Sequence, residues 1–454
     1  MGGTLMNTQI SHIGEVQIGM KGFMKFDLLK AVLDADGNQM YDEEGHAMAY
    51  EETRREVVPW FANQILDNFR NQAADFSNWA GLGSKAQVGT SSVPLPSSGD
   101  TGLYGWTAGT SDIVASTWGA QGTAPWYKFD QRTYRFPSGP GIGNQNLSEA
   151  GVGWDVVSGA NLTSRALIVN PSGVPVTITP DADEILDMTY QLRYYPPLTD
   201  VEGTVALNGV NYDTVLRAAN VSASPGDGGI GSAFSKIGGI NDWDAYDGAL
   251  GAINQGPSGT SVNCDNGNQF NLAYQNNSYS IDMQCDCGPS GWILPASAGI
   301  RCLIIPTSGF SFQCSFSSNP GGTTIPKDAN FTMSFVWRMS WAAMNWAYNW
   351  NMQAANDVTT PTTGNWNTNL AQTLLRINWT DADANDQQFK LQVETGTTFR
   401  IVEAADPTLW VDYKTTGAYS EGTDWTDYAV TQTAIQGTGP VAGNATLIKS
   451  TIFD

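Results

Sequence analysis

Ser164-Arg165-Ala166-Leu167-Ile168-Val169-Asn170-Pro171-Ser172-Gly173 is echoed downstream by Ile300-Arg301-Cys302-Leu303-Ile304-Ile305-Pro306-Thr307-Ser308-Gly309. The segments that follow also match. Pro180-Asp181-Ala182-Asp183 leads into Leu186-Asp187-Met188-Thr189-Tyr190-Gln191-Leu192-Arg193, and Pro326-Lys327-Asp328-Ala329-Asn330 leads into Phe331-Thr332-Met333-Ser334-Phe335-Val336-Trp337-Arg338. The spacing, about 140 residues, is too long for a solenoid repeat and equals a whole small domain. Two tandem copies of one β unit are therefore expected, with Arg165 and Arg301 at the same structural position. Such a duplication favours a scaffold or binding role over a single catalytic centre.

Composition agrees with a mostly β chain. Of 454 residues, 49 are glycine, and Ser, Thr, Asn and aromatics abound while Lys, Arg and Glu thin out after the first seventy positions, the balance of strands and turns. The formal net charge of −22 repels nucleic acid and anionic membrane surfaces, so neither is an expected partner. No run of about 18 apolar residues predicts membrane insertion, and the N-terminus lacks the order of a signal peptide. The five cysteines all lie in the second copy, where Cys302 replaces Ala166. Disulfides are thus dispensable to the repeat, and reduced thiols buried in strands are the expectation, Cys285 and Cys287 included.

Along the chain, residues 1–18 read as an N-terminal arm that orders against a partner. Residues 19–235 form the expected first β-sandwich domain. Within it Trp60, Phe61, Ile65, Leu66 and Phe69 recur at helical spacing after Pro59, predicting a capping helix over 59–70. Pro196-Pro197 should stop a strand, and Asn208-Gly209 should turn a hairpin. Residues 236–346 form the duplicated β-sandwich, with Tyr274–Cys285 standing where Tyr127–Phe136 stands in the first. Residues 347–454 form a third, Trp-rich β domain with no third copy of the repeat. The fold expected is tandem antiparallel β-sandwiches with one short helix near the N-terminus.

Candidate sites are few. Asp34, Asp36 and Asn38 offer oxygen ligands in a tight loop, as do Asp381, Asp383 and Asn385, but both spacings depart from an EF-hand, and plain acidic turns are the simpler reading. Gly139-x-Gly141-x-Gly143 has no lysine or strand-to-helix context that would make it a phosphate loop. With only two histidines, His12 and His46, a hydrolytic triad has little support, while a pair of carboxylates for glycoside cleavage is left open. No cofactor and no catalytic residue is assigned. Trp337, Trp341, Trp346, Tyr348 and Trp350 crowd together. Flat aromatic faces of this kind serve a core, a subunit interface, a protein contact or a glycan platform, in that order of preference.

Several stretches of the first half carry a resemblance: Val57-Val58-Pro59-Trp60-Phe61, Val88-Gly89-Thr90, Asp100-Thr101-Gly102-Leu103, Arg132-Thr133-Tyr134-Arg135-Phe136, Leu147-Ser148-Glu149-Ala150-Gly151-Val152-Gly153 and Ser164-Arg165-Ala166-Leu167-Ile168. Together they resemble tailed-bacteriophage virion proteins of the tail-fibre or minor-tail type, with a first half similar to tail-collar fibres. Ala245–Ile253 and Tyr274–Tyr279 resemble the downstream region of the same proteins. The resemblance implies a non-enzymatic structural component, made in the bacterial cytoplasm and assembled into the virion, most often at the tail. It also implies attachment to other virion proteins through the N-terminal region, self-association as a homotrimer, and contact with a host surface glycan or protein. A capsid or collar decoration protein is the alternative within the same class, and a glycan-cleaving tail hydrolase is the alternative outside it.

Overall fold

The computed structural model describes residues 9–75, 83–94, 96–122, 126–159, 161–170, 175–197, 200–207, 210–221, 244–263, 269–271, 278–287, 300–306, 311–318, 325, 333–343, 348–355, 365–368, 374–378, 398–403, 410–416, 420–421, 425–436 and 445–451. The N-terminal stretch holds β1 (Gln9–Ala31), β2 (Ala49–Ile65), α1 (Asp67–Asp75), β3 (Lys85–Gly89), β4 (Trp106–Thr110), β5 (Ile113–Ala120), β6 (Lys128–Phe136), β7 (Glu149–Gly153), β8 (Leu162–Leu167) and β9 (Glu184–Tyr195). Next come β10 (Val201–Leu207), β11 (Val210–Ala219), β12 (Asp244–Tyr246), β13 (Ser261–Asn263), β14 (Gln269–Asn271), β15 (Ser280–Cys287), β16 (Cys302–Pro306), β17 (Ser311–Ser318) and β18 (Met333–Ala343). The C-terminal stretch holds β19 (Tyr348–Ala355), β20 (Asn365–Thr368), β21 (Leu374–Asn378), β22 (Thr398–Glu403), β23 (Trp410–Thr415), β24 (Ser420–Glu421), β25 (Trp425–Gln436) and β26 (Ala445–Thr451). The chain is mostly β, built from largely antiparallel sheets, and α1 is the one α-helix among the described residues.

The duplication is visible in the pairing. In the first copy β6 runs antiparallel to β9, with Lys128 opposite Tyr194 and Phe136 opposite Leu186. In the second, β15 runs antiparallel to β18, with Ser280 opposite Ser340 and Cys287 opposite Met333. Both ladders attach to one strand. The 23 residues of β1 pair in parallel with β18 from Gln9 to Met20, and antiparallel with β9 from Gly19 to Lys30. The second half of β1 also takes β2 on its other side, and Gln64 and Ile65 at the end of β2 turn away to pair with β8.

Two corrections to the expected domain plan follow. Gln9–Ile18, read as an arm, lies inside a sheet, because Ile13, Val16 and Ile18 bury their side chains in the core. The expected division at 235/236 is crossed twice, by β1 on β18 and by β11 on β17. The second packed layer is the six-stranded sheet β10-β11-β17-β16-β12-β13. It meets β18 through Phe312 on Trp337 and Phe316 on Phe335, ring centroids 5.2 and 5.7 Å apart, aromatic pairs of the tilted kind that hold core layers together. Gly14 marks where β1 crosses this layer. Its φ is +141°, and a Cβ there would stand 2.3 Å from Leu216 Cδ1.

The helix is real but displaced. Trp60, Phe61 and Ile65 lie in β2, and Leu66 and Phe69 belong to the turn into α1 and its first turn. Phe61 and Ile65 are four apart, a spacing that suits a helix or one face of a strand equally, and Phe61, Asn63 and Ile65 are buried in period-two alternation. Pro59 falls at a register shift of the β1–β2 ladder, where its missing N–H breaks no rung. Elsewhere β9 stops at Tyr195 before Pro196-Pro197, and β10 pairs with β11 with Leu207 opposite Val210, while Asn208-Gly209 lie outside the described residues.

The C-terminal strands pair among themselves. Their order is β21-β20-β19-β26-β22-β23-β25-β24, and β25 returns to β21, so seven of the eight form a closed ring. Closure leaves those strands without a free edge.

Candidate functional site

A group of ionisable side chains in a cleft lies beside the hairpin joining β1 to β2. Asp187 of β9 stands opposite Asp27 of β1 on one side and Arg135 of β6 on the other. Two adjacent acids require cations, and the sheet supplies them. Arg135 donates Nε to Asp187 Oδ1 and a terminal N–H to Oδ2, both at 2.8 Å. Arg54 donates to Asp187 at 2.9 Å and to Asp27 at 3.4 Å, and Lys25 lies 3.4 Å from Asp27. Glu51 closes the network by accepting from Arg135 at 2.8 Å and from Arg54 at 2.7 Å. Apart from the buried Asp187, these residues, with Asp42, His46, Val114, Ala115, Gln131, Thr133 and Thr189, line a cleft of about 570 Å³.

The electrostatics of this cleft hold charge in place. Burial raises the Glu51 carboxyl, and the hydrogen bonds from Arg135 and Arg54 outweigh it, so Glu51 sits below the usual carboxylate range. Burial likewise opposes the Arg135 cation, and Asp187 and Glu51 outweigh it. A general acid needs a carboxyl that keeps its proton near neutral pH, and Glu51 is driven the other way. His46 faces the Asp112 carboxylate through Nδ1, and this contact raises its pKa above the ordinary imidazole value. Asp112 also accepts the Ala47 N–H, at 3.1 Å.

A second cluster is built around a buried ion pair. Arg165 and Glu149 both have fully buried side chains. Arg165 donates Nε and a terminal N–H to Glu149 Oε2 at 3.0 and 2.9 Å, another N–H to Asp100 at 2.8 Å, and one to the Pro94 carbonyl at 3.1 Å. The Tyr104 ring lies 4.7 Å from the guanidinium, and Glu149 also accepts the Tyr104 and Gly105 amides. Gly89 is required here, since a Cβ would stand 2.5 Å from the Gly105 carbonyl oxygen and 2.8 Å from Glu149. Arg301, the sequence counterpart of Arg165, is exposed and precedes β16. The two arginines align in sequence but differ in environment.

One carboxyl does keep its proton near neutrality. Asp130 on β6 is buried, 3.3 Å from the Tyr194 hydroxyl, and burial pushes its pKa up to about 7. Lys128, two residues earlier, is pushed down to about 8 by the same cause. Both stand on the face of β6 that carries Tyr134, opposite in alternation to the cleft-lining Gln131 and Thr133.

Most residues singled out from the sequence form no joint site. Asp34 accepts the Asp36 and Asn38 amides and the Asn38 side chain, so its carboxylate organises its own turn. Among the described residues no group of three or more His, Cys, Asp or Glu is placed to hold a metal. Asp381, Asp383, Asn385 and Trp346 lie outside the described residues. Trp337 is fully buried in the core, so it is not available as a surface contact. Trp341 is on β18, and Tyr348 and Trp350 are on β19, with side chains outside the described set. Cys302 and Cys314 are free and buried, and burial pushes the Cys302 thiol up to about 12. The ionic clusters were missed from sequence. Their signal was a charge inside a short apolar strand, as in Ser148-Glu149-Ala150-Gly151 and Ser164-Arg165-Ala166-Leu167.

No family model, no curated protein and no solved structure matches this chain.

Proposed function

We propose that this chain is a structural component of a bacteriophage virion, of the tail-fibre or minor-tail type, present in several copies and bound to other virion proteins or to the host surface. One observation carries the reading. Three of the stretches that resemble phage virion proteins, around Asp100, Glu149 and Arg165, meet in one largely buried ion cluster, and a fourth supplies Arg135 to the network on Asp187. Asp100, Glu149 and Arg165 thus brace a sheet, and Arg135 braces Asp187 from the wall of the cleft. The way β1 joins both copies into a continuous sheet supports the same role, since a rigid β body suits a particle component. The pairing of Asp27 and Glu51 with arginine or lysine gives a glycan-cleaving role no favoured carboxyl pair in the cleft.

Localisation on the particle tests this. Symmetry-resolved imaging of virions carrying a tagged chain should show density at the tail. Density on the head moves the protein to the decoration alternative, and its absence from purified particles rejects the virion role. Release of reducing sugar from host glycan by the purified chain would reject the non-enzymatic assignment.

A further inference from the structure

Strand β5, Ile113-Val114-Ala115-Ser116-Thr117-Trp118-Gly119-Ala120, pairs with β6 on one side only. Among the described residues no backbone hydrogen bond reaches its far edge. Nothing among them covers its faces either, because Ala115, Ser116, Thr117 and Trp118 are all exposed, so both faces are open at once. Trp118 is 37 % exposed. A strand at the end of a sheet is normally guarded by lysine, proline, shortness or a cover. β5 has eight residues, no charge and no proline, and its single irregularity is a register shift at Val114 that leaves 115–120 regular.

Several other described edges are guarded, among them the outer edge of β2, which carries Glu51, Glu52, Arg54, Arg55 and Glu56. β4 is overlaid by the segment at Val156, whose carbonyl oxygen would stand 1.9 Å from a Cβ on Gly109. β10 carries Glu202, and β13, β14 and β24 have three, three and two residues. We propose that β5 is the surface on which a second copy of this chain docks, adding its own β5 antiparallel so that two sheets become one. Charge points to a copy of the same chain as the occupant. At a net −22 two copies repel over most of their surfaces, and residues 116–120 of β5 are a charge-free strip outside the cleft that Val114 and Ala115 share with Asp27, Asp42 and Glu51. Asp112, which precedes the strand, is engaged by His46 and the Ala47 amide.

A two-fold axis through an antiparallel pair places one residue beside its own copy. Centred on the exposed stretch, that residue is Ser116 or Thr117, and hydroxyl side chains facing across a ladder pair favourably. The contact gives an even number of copies, in place of the homotrimer that the resemblance implies, and it does not depend on where the protein sits in a particle, so it is tested in solution.

Light scattering of the purified full-length chain should give an even multiple of the chain mass. Thr117→Lys should halve that mass while circular dichroism and the denaturation midpoint stay unchanged. Ser116→Lys repeats the test from the other face. Thr204→Lys, on the edge strand β10, should leave the mass as it was. Under mild oxidation, either Thr117→Cys or Ser116→Cys should cross-link two copies. A monomeric wild-type chain, or an oligomer whose mass survives both lysine substitutions, overturns the proposal. So does a failure of both cysteine variants to cross-link.

Discussion

Glu149 has a fully buried side chain against Arg165, so neutralising it strands a guanidinium in the interior. Removing one partner of such a pair costs about 3 to 5 kcal/mol, more than the pair itself is worth. Glu149→Gln should therefore lower the urea unfolding free energy by about 3 kcal/mol, the low end of that range, since Asp100 still holds Arg165. The double change Glu149→Leu with Arg165→Met should recover most of it. A single-variant cost below about 1 kcal/mol would contradict the cluster's burial.

Asp130 behaves in the opposite sense. Its folded pKa of about 7 lies above the ordinary carboxylate value, so the folded state binds the proton more tightly and stability falls as pH climbs from about 4 to about 7. Asp130→Asn should remove that slope and stabilise the protein above pH 7 by no more than about 4 kcal/mol. Unfolding curves at pH values of about 4, 6 and 8 would show it, and parallel wild-type and variant profiles would refute it. Neither residue was legible as special in the sequence, because a lone charge in an apolar strand shows its cost but hides its partner. Asp100 lies far from Arg165 in the chain, and no spacing rule connects them.

At the scale of elements, strands were legible wherever alternation was flanked by turn residues. β9, with its Pro196-Pro197 stop, and the β10–β11 ladder, whose strands flank Asn208-Gly209 in sequence, are the clearest cases. The segment around Pro59 was not, because a four-residue spacing of Phe61 and Ile65 serves two periodicities and only pairing with β1 decides between them. The first half of β1 was misjudged for a related reason. Its partner β18 lies more than three hundred residues away, and parallel pairing leaves no local signature. Deleting residues 1–18 tests the difference between arm and strand. It removes Ile13, Val16 and Ile18 from the core, which should cost about 5 kcal/mol at roughly 1.5 to 3 kcal/mol each. An unchanged denaturation midpoint would restore the arm reading.

For the whole molecule, the duplication was legible and its consequence was not. Two copies suggested two bodies on a string, yet both copies pair their closing strand with β1. A candidate reactive site was never legible. Repeats and turn chemistry report backbone geometry, whereas the cleft beside Glu51 is made by side chains from several strands that meet only after folding.

That shared strand also sets how the protein would bear a load. Force drawn along β1 acts on its parallel rungs to β18 and its antiparallel rungs to β9 and β2 in shear, so many bonds must yield together. An unzipping geometry would instead break them singly, in sequence. Single-molecule extension with handles at the N-terminus and just after Ala343, the opposite ends of the parallel β1–β18 ladder, should therefore give one high-force rupture for the two repeat copies. Two separate, weaker peaks would mean that the copies carry tension independently.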